Sequence, residues 1–226
     1  MNYLQDNGVL SNKQFGFRNG LSTENAIFEL VKQITNHLDN NKKCLAVFLD
    51  LAKAFDTVPH HILLNTLDSY GIRGTVLDVF KSYLNDRQQS VKIGEVKSDP
   101  SNIMIGIPQG TVLGPILFII YINSLTSIPL FGGSLISYAD DTVAIFFGDT
   151  WSQVRERTIQ GVNAIKNWLD GFKLTLNSSK TNYMAFSLTA ANRPYFKELY
   201  IQNLNCSISE VDNIKYLGII IDKYLK

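Results

Sequence analysis

Cysteine is scarce in this chain of 226 residues, and the two that occur, Cys44 and Cys206, lie far apart. Neither belongs to a CxxC pair or a Cys/His set, so zinc is unsupported and a reduced intracellular setting follows by default. An excess of one charge is also missing: 21 Lys and Arg against 20 Asp and Glu leave a formal net charge of +1. Self-sufficient nucleic-acid binders often show a basic excess, so composition alone does not suggest that class. Long hydrophobic runs are lacking too. The apolar run at 116–122 falls well short of the ~20 residues that span a bilayer, and the polar neighbourhood of Met1 predicts no secretory leader. Repeats, low-complexity stretches and convincing linkers are equally missing. What is present is a 45% hydrophobic composition, enough for one globular domain with a sizeable core.

Apolar spacing predicts interleaved helices and strands. Ser22 or Thr23 can cap a helix whose residues Ala26, Ile27, Leu30, Val31, Ile34 and Leu38 recur at three and four. A strand at 44–49 follows, then a helix opened by Pro59 and ended by Gly71, and another carrying Val76 to Leu84. His60 and His61, adjacent and just after Pro59, read as helix-start residues rather than metal ligands. A strand is expected at 89–93 with Gly94 as its turn and 103–107 as the return segment. A buried helix is expected at 112–125, with Pro115 tolerated in its first turn. Beyond a hairpin formed by 133–138 and 142–147 come a helix at 151–169, strand-like segments at 174–176 and 183–186, and a final β-prone run at 215–221. Such an order fits an α+β domain, a sheet with helices on one face.

Three acids give this pattern its chemistry. Asp140 and Asp141 sit at the tight reversal of the hairpin, and Asp50 ends the strand some ninety residues upstream. Strand ends deliver side chains to sites, so the three carboxylates are expected to meet in one site. A cluster of that kind is costly unless divalent cations neutralise it, and Mg²⁺ prefers hard oxygens with substrate phosphates completing its shell. The pattern points to two-metal phosphoryl transfer. Each acid also has a plainer reading, Asp-Asp as turn chemistry and Asp50 as a solvated loop carboxylate. Asp56, six residues beyond Asp50 across a turn, reads as structural.

The company these acids keep decides between the readings. Gln14-Phe15-Gly16-Phe17-Arg18 with Leu21-Ser22-Thr23, the block from Asp50 to Pro59, the block from Gly106 to Asn123, Tyr138-Ala139-Asp140-Asp141-Thr142, the block from Leu174 to Thr181, and Tyr216-Leu217-Gly218 occur in this order. Together they resemble the reverse transcriptases of non-LTR (LINE-type) retrotransposons, over nearly the whole chain from Asn12 to Asp222.

The resemblance implies an RNA-directed DNA polymerase with a palm fold, about 1–42 being partial fingers and about 43–226 palm with C-terminal primer-grip-like strands. It implies Mg²⁺, with Mn²⁺ as an alternative, held by Asp50, Asp140, Asp141 and the Leu51 carbonyl. It makes Phe55 a steric gate against a 2′-hydroxyl, the alternative being a core phenylalanine. Gln109 and Gly110 would line the incoming nucleotide, and Lys180 would stand near the leaving pyrophosphate unless it is only a solvated loop lysine. Tyr138 and Tyr216-Leu217-Gly218 would support the primer terminus or simply be core strand residues. Arg18 would touch template backbone or form a surface salt bridge. The implied partners are an RNA template, a DNA primer and deoxynucleoside triphosphates, with no membrane, in nucleus or cytoplasm. The family's upstream triphosphate-binding arginine motif and its helical thumb have no counterpart among these residues, so a truncated retroelement copy of low activity is the expectation. The competing class is a catalytically inactive palm scaffold that binds RNA or protein.

Overall fold

The computed structural model describes residues 2–187 and 192–225; Met1, on whose surroundings the expectation about a leader rested, lies outside them. In chain order the elements are α1 (Asn2–Asp6), α2 (Thr23–Asp39), β1 (Lys43–Leu49), α3 (His60–Ser69), α4 (Gly74–Leu84), β2 (Gln88–Gln89), β3 (Lys92–Ile93), β4 (Val96–Lys97) and β5 (Ser101–Asn102). There follow α5 (Leu113–Ile122), β6 (Gly133–Tyr138), β7 (Asp141–Gly148), α6 (Trp151–Gly171), β8 (Asn182–Phe186), β9 (Glu198–Ile201), β10 (Cys206–Glu210), β11 (Asn213–Tyr216) and β12 (Ile219–Asp222). A six-stranded sheet runs in the order β6-β7-β1-β8-β10-β9. Its neighbours are antiparallel except β8 and β10, which are parallel.

β1 is buried almost throughout because both of its faces are covered. Leu45, Val47 and Leu49 point into a core shared with α3, α5 and α6, while Cys44, Ala46 and Phe48 point to the other side. That alternation is the period-two consequence of a pleated strand. Helices therefore cover the expected face, but the opposite face is covered as well: Ala26, Leu30 and Ile34 of α2, with Tyr216 and Ile221 of the β11–β12 hairpin, close it. The apolar positions of α2 recur at four-residue intervals, so this helix needs a second buried surface to pack on.

Local chemistry sets the boundaries. Ser22 caps α2 in a reciprocal box with Asn25, the Asn25 N–H donating to Ser22 Oγ (3.4 Å) and the Ser22 N–H to Asn25 Oδ1 (2.8 Å). Pro115 is tolerated in the first turn of α5, whose residues 117–122 are all buried. The helix expected at 112–125 is shorter, and a 3₁₀ turn at Asn123–Ser127 takes over its last residues. Two other expectations are corrected. The strand after α4 is one long hairpin in two short ladders, β2 with β5 and β3 with β4, turning at Gly94. Its return is therefore at 96–102, and 103–107 is irregular. The run at 215–221 is not one strand but the β11–β12 hairpin, reversing at Leu217 (φ 47) and Gly218 (φ 91). The strands β9 and β10 are additional to the elements the sequence predicts.

Both cysteines are free, and burial pushes the Cys44 thiol up to about 12, beyond the range of a reactive thiolate. Among the described residues no helix is long and apolar enough to cross a membrane.

The approach of α6 to the sheet is made at Gly161, where an added Cβ would lie 2.3 Å from the ring of Phe146, itself fully buried on β7. Alanine in place of a helix-interior glycine ordinarily gains about 1 kcal/mol. Overpacking a core costs about 1–3 kcal/mol, so the clash wins. Gly161→Ala is expected to lower stability by about 1–2 kcal/mol in urea denaturation; a gain would place α6 further from the sheet than described.

Candidate active site

The central strand pair aligns the acids. β1 and β7 pair from Lys43↔Gly148 to Leu49↔Thr142, and the next step of that register brings Asp50 level with Asp141. Across β7, Tyr138↔Asp141 closes the β6–β7 hairpin, leaving Ala139 and Asp140 as its two turn residues. Ala139 carries φ 55, the sign that tight two-residue hairpins require at their first central position. Beneath the turn, the buried hydroxyls of Ser137 and Thr142 bond each other at 2.8 Å.

Electrostatics couple the three charges. Burial raises the Asp140 carboxyl above the usual carboxylate range; a bond to its own backbone opposes this, and repulsion from Asp50 adds to it. Asp141, open to solvent on one side, is likewise raised by burial, then by Asp140 and by Asp50. Among the described residues no ion pair engages any of the three. Nor, among those residues, do three His, Cys, Asp or Glu side chains gather tightly enough to hold a metal by themselves. The three acids thus stand at the adjoining ends of β1 and of the β6–β7 hairpin.

A second segment fixes Asp50 from behind. Its backbone N–H reaches Thr181 Oγ1 (3.3 Å) and its carbonyl accepts from the Asn177 N–H (2.8 Å). Thr181 is 1% exposed and also donates to the Asn177 carbonyl (2.8 Å), tying the turn at 177–180 into one unit with the strand end. Leu51 sits opposite Leu176, with the flanking bonds made by Asp50 and Ala52. In such a pair the residue's own carbonyl points away from its partner strand. Lys180, exposed and without an ion pair among the described residues, lines a cleft of about 330 Å³ together with Asp50, Asp141 and Tyr216.

The larger cleft, about 690 Å³, lies beside the acids rather than on them and is lined by Lys53, Asp56, Gln89, Asn102 and residues 103–109. Gln109 donates from Nε2 to Asp56 Oδ1 at 2.7 Å, so Asp56 is the anchor of the 106–110 loop. The Ile107 N–H bonds the Phe55 carbonyl and the Gly106 N–H bonds that of Val58, both at 2.8 Å. Gly110 follows with φ 71. The ring of Phe55 is half-buried, stacked on Phe118 at 4.0 Å and met edge-on by Phe17 at 6.5 Å. Its orientation is therefore set by packing, whichever part it plays.

Tyr138 is half-buried against the α2 face. Tyr216 is 5% exposed, edge-on to Phe48 at 5.6 Å, and its hydroxyl is buried without a partner among the described residues. Burial, then the charge of Asp141, pushes that phenol above its usual range. Leu217 and Gly218 form the adjoining turn. Arg18 behaves differently from the sequence expectation: its Nη1 donates to the carbonyls of Ser11 (2.6 Å) and Gln14 (2.9 Å), and it forms no ion pair among the described residues. It is a clamp on its own loop, and the alternative of a surface salt bridge is not formed among the described residues. Asn177 and Thr181 escape sequence reasoning because a turn of Asn-Ser-Ser-Lys-Thr looks like solvent-facing loop; a buried Thr beside a strand has no distinct sequence signature.

The relatives of this chain agree with its geometry. The profile described as "Reverse transcriptase (RNA-dependent DNA polymerase)" matches residues 1–221. The "Probable RNA-directed DNA polymerase from transposon X-element" of Drosophila melanogaster is 29% identical over 98% of this chain and 24% of its own length. The corresponding protein of transposon BS from the same fly is 28% identical over 98% of this chain and 25% of its own length. This chain thus spans about a quarter of the length of these curated relatives. Apo telomerase from Candida tropicalis superposes with a TM-score of 0.66 over 100% of this chain and 38% of its own, at 14% identity, a likeness of fold alone. With a palm-type sheet, a strand-end acid level with an Asp-Asp hairpin, and a family match over almost its full length, this chain belongs to the reverse transcriptase (RNA-dependent DNA polymerase) family.

Proposed function

We propose that this chain forms the palm, at about 43–226, and part of the fingers, at about 1–42, of an RNA-directed DNA polymerase that uses two divalent cations. The observation carrying this reading is the pair of central strands that ends in Asp50 and Asp141 side by side, with Asp140 in the adjoining turn and, among the described residues, no ion pair to any of them. Half-buried like charges without a counter-ion are unfavourable, and a divalent cation relieves them. Asp50 and Asp140 would hold Mg²⁺ or Mn²⁺, with Asp141 beside them and the Leu51 carbonyl as a further oxygen. An open edge suits this better than a closed cage, because Mg²⁺ is usually bound by one or two carboxylates and completed by substrate phosphates. Cations held there would lower the pKa of the primer 3′-hydroxyl and offset charge on the triphosphate.

The remaining work is positioning, as phosphoryl transfer requires. Phe55 blocks the space a 2′-hydroxyl needs, held flat by Phe118. Gln109 and Gly110 line the deoxynucleoside triphosphate, and Lys180 supplies a mobile positive charge and a proton to the leaving pyrophosphate. Tyr138 and Tyr216-Leu217-Gly218 support the DNA primer end opposite an RNA template.

Asp140→Asn separates this function from folding. In a polymerase carrying the flanking length of its relatives, RNA-templated incorporation should fall by more than about 100-fold, beyond the roughly 10–100-fold cost of losing an outer-shell partner of a metal ligand; unchanged extension would refute the assignment. Without divalent cations the same substitution should raise Tm. The sign follows from the raised carboxyl: its penalty is fully present above its folded pKa and vanishes as pH falls below the ordinary carboxylate range. The advantage of Asn should therefore shrink toward acid pH, and Mg²⁺ should raise the Tm of the native chain more than that of the variant. Equal Mg²⁺ responses would argue against a cation at this edge.

Phe55→Val tests sugar choice in the same flank-extended enzyme. The discrimination is steric, so kcat/KM for ribonucleotides should rise relative to that for deoxyribonucleotides. Equal losses for both would mark the ring as packing only.

A further inference from the structure

The segment before α2 lies against the catalytic turn. Phe15 donates its N–H to the Ser137 carbonyl (2.8 Å) and the Lys13 carbonyl accepts from the Ser137 N–H (2.9 Å), so Gln14 forms a parallel bridge with Ser137 on the outer edge of β6. Gln14 is 1% exposed, an unusual burial for a carboxamide. Its Oε1 accepts two backbone N–H bonds, from Gly16 at 2.8 Å and from Ala139 at 2.9 Å. Ala139 is the residue with positive φ immediately before Asp140, and it is itself buried at 3% exposure. Its N–H faces the turn, outside the β6–β7 ladder, and Gln14 is the partner that satisfies it. Gly16 permits the approach: a Cβ there would stand 2.4 Å from the Ala139 nitrogen.

The orientation of the amide is forced. Two N–H donors fix the oxygen toward the turn, so Nε2 faces away, buried and without a partner among the described residues. A group buried with one end unsatisfied is retained for what its other end does. A non-glycine residue at positive φ is likewise held only where its surroundings over-determine it.

We propose that Gln14 is a positioning residue for the polymerase site: its carboxamide oxygen, seated through Gly16, locks the Ala139 peptide and so sets the place of Asp140 relative to Asp50. The role rests on the polymerase reading of the acids. Gln14 touches no reactant; it acts through the backbone of the turn. The metal site then depends on a residue more than a hundred positions upstream of the acid it orients.

The test uses residues 1–226 with Mn²⁺ as the probe. Bound Mn²⁺ is followed by EPR, and exchange of the Ala139 amide by NMR, in the native chain, Gln14→Met and Gly16→Ala. Thr158→Ala is the control, because it removes a buried hydroxyl bonded at 2.7 Å to the Val154 carbonyl within α6, with no hydrogen bond to the turn or to Gln14. Gln14→Met should weaken Mn²⁺ binding about 10-fold, within the range for losing a group that orients a metal ligand. It should also speed Ala139 exchange while leaving the ladder amide of Val143 protected. Gly16→Ala should do the same by displacing the turn directly, and it carries the test should Gln14→Met fail to fold. Thr158→Ala should lower Tm and leave both readouts unchanged.

Equal Mn²⁺ affinity in the native chain and the Gln14 and Gly16 variants overturns the proposal, as does unchanged Ala139 exchange. A native chain that binds no Mn²⁺ counts against the polymerase reading instead, and Ala139 exchange then still decides whether Gln14 holds the turn.

Discussion

The constraint on which the rest depends is the antiparallel register of β1 against β7. Seven paired positions end at Leu49↔Thr142, and because side chains alternate with a period of two, a slip of one residue would turn every side chain of β1 to the other face. Such a slip would move Leu45, Val47 and Leu49 out of the α5–α6 core and Asp50 away from Asp141. The burial of both faces of β1 makes that slip prohibitive, so the core protects the site geometry. Proximity of the acids is a by-product of packing hydrophobic residues correctly, and their mutual repulsion is the part that packing leaves unrelieved.

The site is also held from outside the central strands by backbone more than by side chains. Asn177 and Thr181 bond the amide and carbonyl of Asp50, and the 106–110 loop is laid on the carbonyls of Phe55 and Val58. Bonds of this kind fix position without adding charge. They leave the carboxylates and Lys180 without a protein counter-ion among the described residues. The near-balance of acidic and basic residues is consistent with that economy: the local field comes from three placed acids, not from net charge.

Much of this was legible in the residues. Strong periodicity announced α2, α6 and the β6–β7 hairpin, and the Ser22 cap and Pro115 marked helix starts. Asp50 and the Asp140-Asp141 pair were readable because strand ends and tight turns are where side chains leave the sheet. β9 and β10 were missed because each spans only four or five residues and shows two or fewer buried apolar positions. The final hairpin looked continuous because its turn, at Leu217-Gly218, holds a leucine in a left-handed conformation that sequence patterns assign to strand. The second covered face was illegible, since periodicity reports that a helix has an apolar stripe and not which side of a sheet receives it. The use of Arg18 as a carbonyl clamp was not legible, because it depends on loop shape.

The central claim is that the edge formed by Asp50, Asp140 and Asp141 is a cation and triphosphate site. Anomalous diffraction from crystals of the chain grown with Mn²⁺, an RNA template, a DNA primer and a deoxynucleoside triphosphate tests it most directly. The account predicts Mn²⁺ peaks bridging Asp50 and Asp140 to the triphosphate, with the sugar over Phe55. Mn²⁺ bound elsewhere, with these carboxylates facing only solvent and the nucleic acid on another surface, would contradict it.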